Sequence, residues 1–132
     1  MSTDGLFLLD TTVLVDVSRG REPAFSWLRE SLRRQQQLCI SAVSVAELFA
    51  GLSPRRREEW REFINDLTHW DVTTEIGILA GILRYDLARR GRTIHIPDAL
   101  IAATALVYGA ALVTDNVKDF PMPEIKTVRL LP

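Results

Sequence analysis

Short apolar runs alternate along this chain with longer segments of helical periodicity, and that alternation leaves few folds open. Residues 6–9 (LFLL), 38–40 (LCI) and 111–114 (ALVT) read as buried strands. Helices are predicted between them. Residues 11–17 permit a helix that Asp10 would cap, and 22–36 carry Phe25, Leu28 and Leu32 at helical spacing on an otherwise charged surface. Residues 41–52 form a mostly apolar helix, followed by a charged one over 54–69 whose inner stripe is Trp60, Phe63, Ile64 and Leu67. A long helix over 75–90 stops at Gly91, and another opens at Pro97 and Asp98 and runs to Tyr108, with Gly109 beyond it. Further strands are expected at 70–72 and, more weakly, at 127–131. The sum is an α/β fold with a central, mostly parallel sheet of four to five short strands. Ligands in such sheets bind at the carboxyl ends of the strands, beside the reversal of strand order. Asp10 and the segment 114–119 both lie where a strand ends.

Composition narrows the function. At 132 residues the chain fits one domain with a single core, and its 47% hydrophobic and 25% charged residues are ordinary for a soluble globular protein. No apolar stretch approaches bilayer length and the first residues lack the features of a signal peptide, so a cytoplasmic protein is expected. Cys39 is the only cysteine, which excludes an intrachain disulfide and any multi-cysteine metal site. A net charge of -1 provides no long-range attraction for nucleic acid, so such a partner would be held by local patches. The basic residues are nearly all arginines, clustered at 55–57 and at Arg84, Arg89, Arg90 and Arg92. Glu58, Glu59 and Glu62 follow the first cluster at helical spacing and favour a solvated face there. Arg89, Arg90 and Arg92 either complement a helix C-terminus or bind substrate phosphates. Trp27, Trp60 and Trp70 read as packing residues, and His69 and His95 are not at metal-ligand spacing.

Three acids stand alone in apolar surroundings. Asp10 is the only charge in residues 6–15, Glu47 the only one in 38–52, and Asp98 the only formal charge in 94–114 if His95 is neutral. Each has a local explanation: Asp10 as a helix cap, Asp98 at the positive end of a helix, and Glu47 reaching solvent past small neighbours. Shared burial is the alternative that covers all three. Buried carboxylates that repel one another are costly unless protonated, paired or bound to a cation. Hard oxygen ligands favour Mg²⁺ or Mn²⁺, and such a site suits hydrolysis of a phosphodiester. Residues 114–120 (TDNVKDF) add Asp115, Asn116 and Asp119 directly after an apolar strand, although those residue types also make ordinary turns.

In order along the chain, LLDTTVLVD, SAVSVAELFAG, IPDALIAATAL and LVTDNVKDF resemble the four motifs of the PIN domain, specifically its VapC-like group. The resemblance spans nearly the whole chain and implies one PIN domain over residues 1–132, an α/β/α sandwich whose acids coordinate Mg²⁺ or Mn²⁺ and direct water at RNA. Asp10, Glu47 and Asp98 match the family's metal-site acids, Thr11 the hydroxyl after the first of them, and Thr114 the hydroxyl opening the fourth motif. Asn116 stands where many relatives place a fourth acid, followed by the acid matched by Asp119. Of Asp115, Asn116 and Asp119, the resemblance favours Asn116 and Asp119 at the site, with Asp119 the metal ligand.

The implied activity is endoribonuclease action as the toxin of a VapBC toxin–antitoxin pair. RNA as substrate, a VapB-like antitoxin and a homodimer follow as implied partners. An antitoxin helix would fit between the helices predicted over 22–36 and 54–69. The competing reading is a catalytically inert PIN-like module that binds protein or RNA, which Asn116 favours and the retained acids oppose. Aspartyl-phosphate chemistry is disfavoured because Asp10-Thr11-Thr12 lacks a second acid, and no phosphate-binding glycine loop is present.

Overall fold

A computed structural model describes residues 5–130. Five strands, β1 (Leu6–Leu9), β2 (Gln37–Ser41), β3 (Thr68–Trp70), β4 (Ala111–Val113) and β5 (Thr127–Val128), form one sheet in the order β3-β2-β1-β4-β5. Every pairing is parallel. Parallel neighbours need crossovers, and six helices supply them: α1 (Thr11–Ser18), α2 (Ala24–Arg33), α3 (Ala42–Ala50), α4 (Arg57–Asn65), α5 (Thr74–Arg89) and α6 (Ile96–Tyr108). The first strand lies at the centre, with β2 on one side and β4 on the other. The chain therefore reverses its direction of growth beside β1, and a cleft opens there.

Alternation along the central strands divides the core into two layers. Leu8, Cys39 and Leu112 face α5 and α6, while Leu9, Leu38, Ile40 and Val113 face α1, α2, α3 and α4. Burying a leucine of this kind fully contributes about 1.5–3 kcal/mol. The α6 side is narrow. Ala99, Ala102, Ala103 and Ala105 are almost wholly buried, and their small side chains let α6 lie close to the sheet. Gly109 ends α6 at φ 66° and Gly91 follows α5 at φ 78°, a backbone region that side chains with a Cβ disfavour. Burial also pushes the Cys39 thiol up to about 12, so it is an inert core residue.

Several boundaries differ from expectation. The helix expected over 22–36 is shorter, Ala24–Arg33, and buries Ala24, Leu28 and Ser31 while Phe25 and Leu32 are 38% and 43% exposed. The segment 54–69 is not one helix. A 3-10 turn, Pro54–Arg56, precedes α4, and the chain leaves helix after Asn65 so that Leu67 is buried from a loop. The third strand starts earlier than expected, at Thr68, because Cys39 and Ile40 pair with Thr68 and His69. The fifth is the short β5, and the Leu131 end of its expected range lies outside the described residues. Arg56 donates to Ser18 O at 2.8 Å and lies over the Trp60 ring, so this arginine of the first cluster ties the 3-10 turn to the core. Trp27 packs edge-on to Phe7, and Trp70 stacks on Tyr108.

Candidate active site

Strand register brings the first two site residues together. Leu9 pairs with Val113, so the next residues, Asp10 and Thr114, emerge side by side at the carboxyl edge. Asp10 N donates to Val113 O at 3.0 Å, and Thr114 N donates to Val128 O at 3.0 Å. Asp10 is 4% exposed and Thr114 fully buried. Burial of a carboxylate is tolerable only if its lone pairs are met. Three donors meet them: Thr11 N to Oδ1 at 2.8 Å, Thr114 Oγ1 to Oδ2 at 2.7 Å and Thr12 Oγ1 to Oδ2 at 3.1 Å. Asp10 is thus both the cap of α1 and a fixed carboxylate. The two explanations coincide. Thr114 in turn accepts from Asn116 N at 3.0 Å, which pins the start of the 114–119 segment.

Glu47 approaches from α3, which packs beside α1. Thr11 Oγ1 lies 2.6 Å from Glu47 Oε1 and 3.0 Å from Ser44 Oγ. A hydroxyl has one proton and a carboxylate only accepts, so Thr11 donates to Glu47 and takes its second bond from the buried Ser44. Glu47 itself is exposed, contrary to the burial its apolar neighbours suggested. The reason is geometric: α3 buries Ser44 and Leu48, and Ala46 and Glu47 fall on the face turned to the cleft.

Asp98 sits in the first turn of α6, half-buried, at a helix end that favours negative charge. Its carboxyl is nonetheless raised from 3.8 to about 6, first by burial and then by the charges of Asp10, Asp119 and Glu47, with His95 pulling the other way. Burial likewise raises Asp10, against its three hydrogen bonds and with a contribution from Glu47. Four acids, two from segments that follow strands β1 and β4 and two from helices α3 and α6, therefore share one electrostatic neighbourhood. Among the described residues no three of them stand close enough to form a ready metal shell. Asp115 faces another task, its Oδ1 accepting from Leu130 N at 2.8 Å. Sequence reasoning did not single out Thr12 or Ser44 as site residues. Ser44 had a signal, since it lies one helical turn before Glu47.

Two raised carboxyls set a pH dependence. Asp98 holds its proton to about 6 when folded but loses it near 3.8 when unfolded, so unfolding releases protons between those values. The metal-free protein is expected to lose stability as pH rises from about 4 to about 6 and to level off above. Thermal melts across that range check this; a midpoint that climbs with pH would show the cluster to be uncoupled.

A three-layer α/β/α domain with acids gathered at the switch point of a parallel sheet is a candidate hydrolytic centre. The PIN-domain model matches residues 7–121, and the chain belongs to the PIN-domain family. Among curated relatives it is 39% identical to Ribonuclease VapC10 of Mycobacterium tuberculosis, covering 90% of this chain and 89% of that one. It is 37% identical to Ribonuclease VapC19 of the same species, over 87% of this chain and 92% of that one. Among solved structures it resembles VapBC2 from Rickettsia felis, crystallised on a promoter DNA fragment, with a TM-score of 0.80, 27% identity, and 93% and 97% of the two chains covered. No helix among the described residues is long and apolar enough to cross a membrane.

Proposed function

We propose that this chain is an endoribonuclease, the toxin of a VapBC pair, and that it hydrolyses RNA phosphodiester bonds with Mg²⁺ or Mn²⁺ in the cytoplasm. The observation that carries the reading is the buried Asp10 carboxylate, held by three donors at the switch point, with Asp98 feeling the charges of Asp10, Asp119 and Glu47. All donors are hard oxygens. Hard oxygens suit Mg²⁺, which takes one or two carboxylates directly and keeps several waters. Asp10 and Asp98 are the residues to hold it, with Glu47 and Asp119 at the rim. When bound, such a cation supplies positive charge to the phosphate and acidity to an attacking water. The chain's own work is positioning: Thr114 and Thr12 fix Asp10 Oδ2, Thr11 and Ser44 aim Glu47, and Asn116 N donates to the Thr114 hydroxyl that holds Asp10. An inert module would gain from neutralising these acids, and this chain retains them all.

The proposed protein partner is a VapB-like antitoxin. A hollow of about 470 Å³ beside α2 and α4 includes Phe25, Leu28, Leu32, Trp60 and Phe63 in its lining. Such an apolar hollow between two amphipathic helices suits the apolar side chains of a docked tail. A homodimer is proposed through the outward residues of α5, where Ile78 and Ile82 are about half exposed or more. Light scattering of the free chain and of its mixture with the antitoxin reads both masses.

The deciding experiment is cleavage of a pool of structured RNAs by antitoxin-free protein with Mg²⁺, with Mn²⁺ and with chelator. Cuts are expected with either cation and none with chelator. Either cation should also raise the thermal midpoint more at pH 8 than at pH 5, because protons compete for Asp98. Folded protein that binds neither cation would return the chain to the inert reading.

A further inference from the structure

A phosphodiester strand entering an acidic cluster is repelled unless a donor or a cation at its mouth meets the phosphate. The chain's net charge of -1 supplies no general attraction, so the requirement falls on side chains beside the acids themselves. The connector between α5 and α6 delivers one. Ile94 is buried and its carbonyl accepts from Arg84 Nε at 3.0 Å, while His95 O accepts from Ala99 N at 2.9 Å, so the backbone is held on both sides of His95. His95 is the N-cap of α6, and Asp98 is the third residue of that helix. Side chains at those two positions lie over the same first turn, the arrangement on which a capping box depends. The charge of His95 accordingly acts on Asp98, against the push of Asp10, Asp119 and Glu47.

The ring is placed at the site and is not consumed there. His95 is exposed, its side chain does not cap the helix, and it makes no hydrogen bond or ion pair among the described residues. N-caps are normally Ser, Thr, Asp or Asn, whose oxygen accepts from the first turn. A histidine that caps nothing gives up that stabilisation, and exposure leaves it no packing to offer in return.

We propose that His95 is a substrate-binding residue, its imidazole N–H donating to a phosphate oxygen of the RNA strand beside Asp98. The inference rests on the nuclease reading of that site. An imidazole presents at least one N–H in either charge state, so the contact does not depend on its protonation. The phosphate is present both before and during reaction. Such a contact therefore lowers KM and leaves kcat nearly untouched.

The test is His95→Ser, which puts a favoured N-cap in place and is too short to reach a strand, so the thermal midpoint should equal or exceed that of wild type. Anisotropy of a fluorescein-labelled single-stranded RNA at low salt in chelator, where no turnover is involved, is expected to show binding about tenfold weaker. With Mg²⁺ and the same RNA, KM should rise about tenfold at nearly constant kcat. The Mg²⁺ concentration that half-completes the thermal shift should not move, because the contact is to substrate and not through Asp98. His95→Arg, which also donates to phosphate, should bind the RNA at least as tightly as wild type. The control is His69→Gln on β3, where the ring contacts Ile64 O, and it should match wild type. The proposal is overturned if wild-type protein does not hold the RNA at low salt, if His95→Ser binds it normally, if kcat falls while KM stays, if the Mg²⁺ midpoint moves while RNA binding does not, or if the control loses as much. Wild-type cleavage with normal binding by His95→Ser sinks this contact alone. RNA binding that depends on His95, without metal-dependent cleavage, sinks the nuclease reading alone.

Discussion

Asp98→Asn is expected to lower RNA cleavage by about three orders of magnitude and, in the same protein, to raise the thermal midpoint of the metal-free form at pH 8 by about 3 °C. The two effects share one cause. Asp98 makes no side-chain hydrogen bond among the described residues, and its carboxyl is raised to about 6 by burial and by three neighbouring acids. Its ionised form is thus a cost to the folded state that function requires and folding does not. Asparagine keeps the shape and removes the charge. Asp10→Asn provides the contrast. That carboxylate accepts from Thr11 N, Thr12 Oγ1 and Thr114 Oγ1, and an amide nitrogen in place of Oδ2 accepts nothing. Activity should fall as far, but stability should fall with it. Opposite signs in stability with equal losses in activity would separate a repelled acid from an anchored one. An Asp98→Asn enzyme retaining a tenth of its activity, or melting lower than wild type, would contradict the shared-cluster reading.

Much of this arrangement was legible before the fold was known, and for physical reasons. Lone charges in apolar runs are expensive, so Asp10 and Asp98 announced themselves by their surroundings, and the strands that carry Asp10 and Thr114 were marked by length and composition. What was illegible depends on tertiary choices that periodicity does not encode. Phe25 and Leu32 have the spacing of core residues, yet α2 turns Ala24, Leu28 and Ser31 inward instead. Glu47 looked buried because its neighbours are apolar, but those neighbours are small or face other layers. The start of β3 was hidden inside an apparent helical stripe, since Leu67 is buried whether it belongs to helix or loop. Pairing with β2 decided the matter, and pairing is not a local signal. Thr12 and Ser44 escaped notice because a hydroxyl carries no charge to make its burial conspicuous.

Thr114→Val tests the anchoring half of the site. Valine has threonine's shape without its hydroxyl, so the change leaves packing in place and removes two bonds at a fully buried position. Asp10 Oδ2 loses its 2.7 Å donor and Asn116 N loses its 3.0 Å acceptor. With a buried charge deprived of one partner and a backbone N–H left unpaired, the expected cost is about 3 kcal/mol, or a fall of roughly 10 °C in thermal midpoint. Cleavage is expected to fall by about 10- to 100-fold, less than for loss of an acid, because Thr114 acts through Asp10. A merely structural role would not shift the titration of the enzyme, and here a shift is required. The Thr114 bond lowers the Asp10 carboxyl against the upward push of burial, so removing it raises that carboxyl further. Activity needs Asp10 ionised, and the acid limb of the pH–rate profile should therefore move to higher pH. Thr114→Ser, which restores the hydroxyl and lacks only a methyl, should return the limb to its wild-type position. In an Asp10→Asn background the valine substitution should cost markedly less, since the bond it removes is already broken. Additive losses in that cycle, or a pH profile unmoved in Thr114→Val, would mean that Thr114 supports the strand end without orienting the acid.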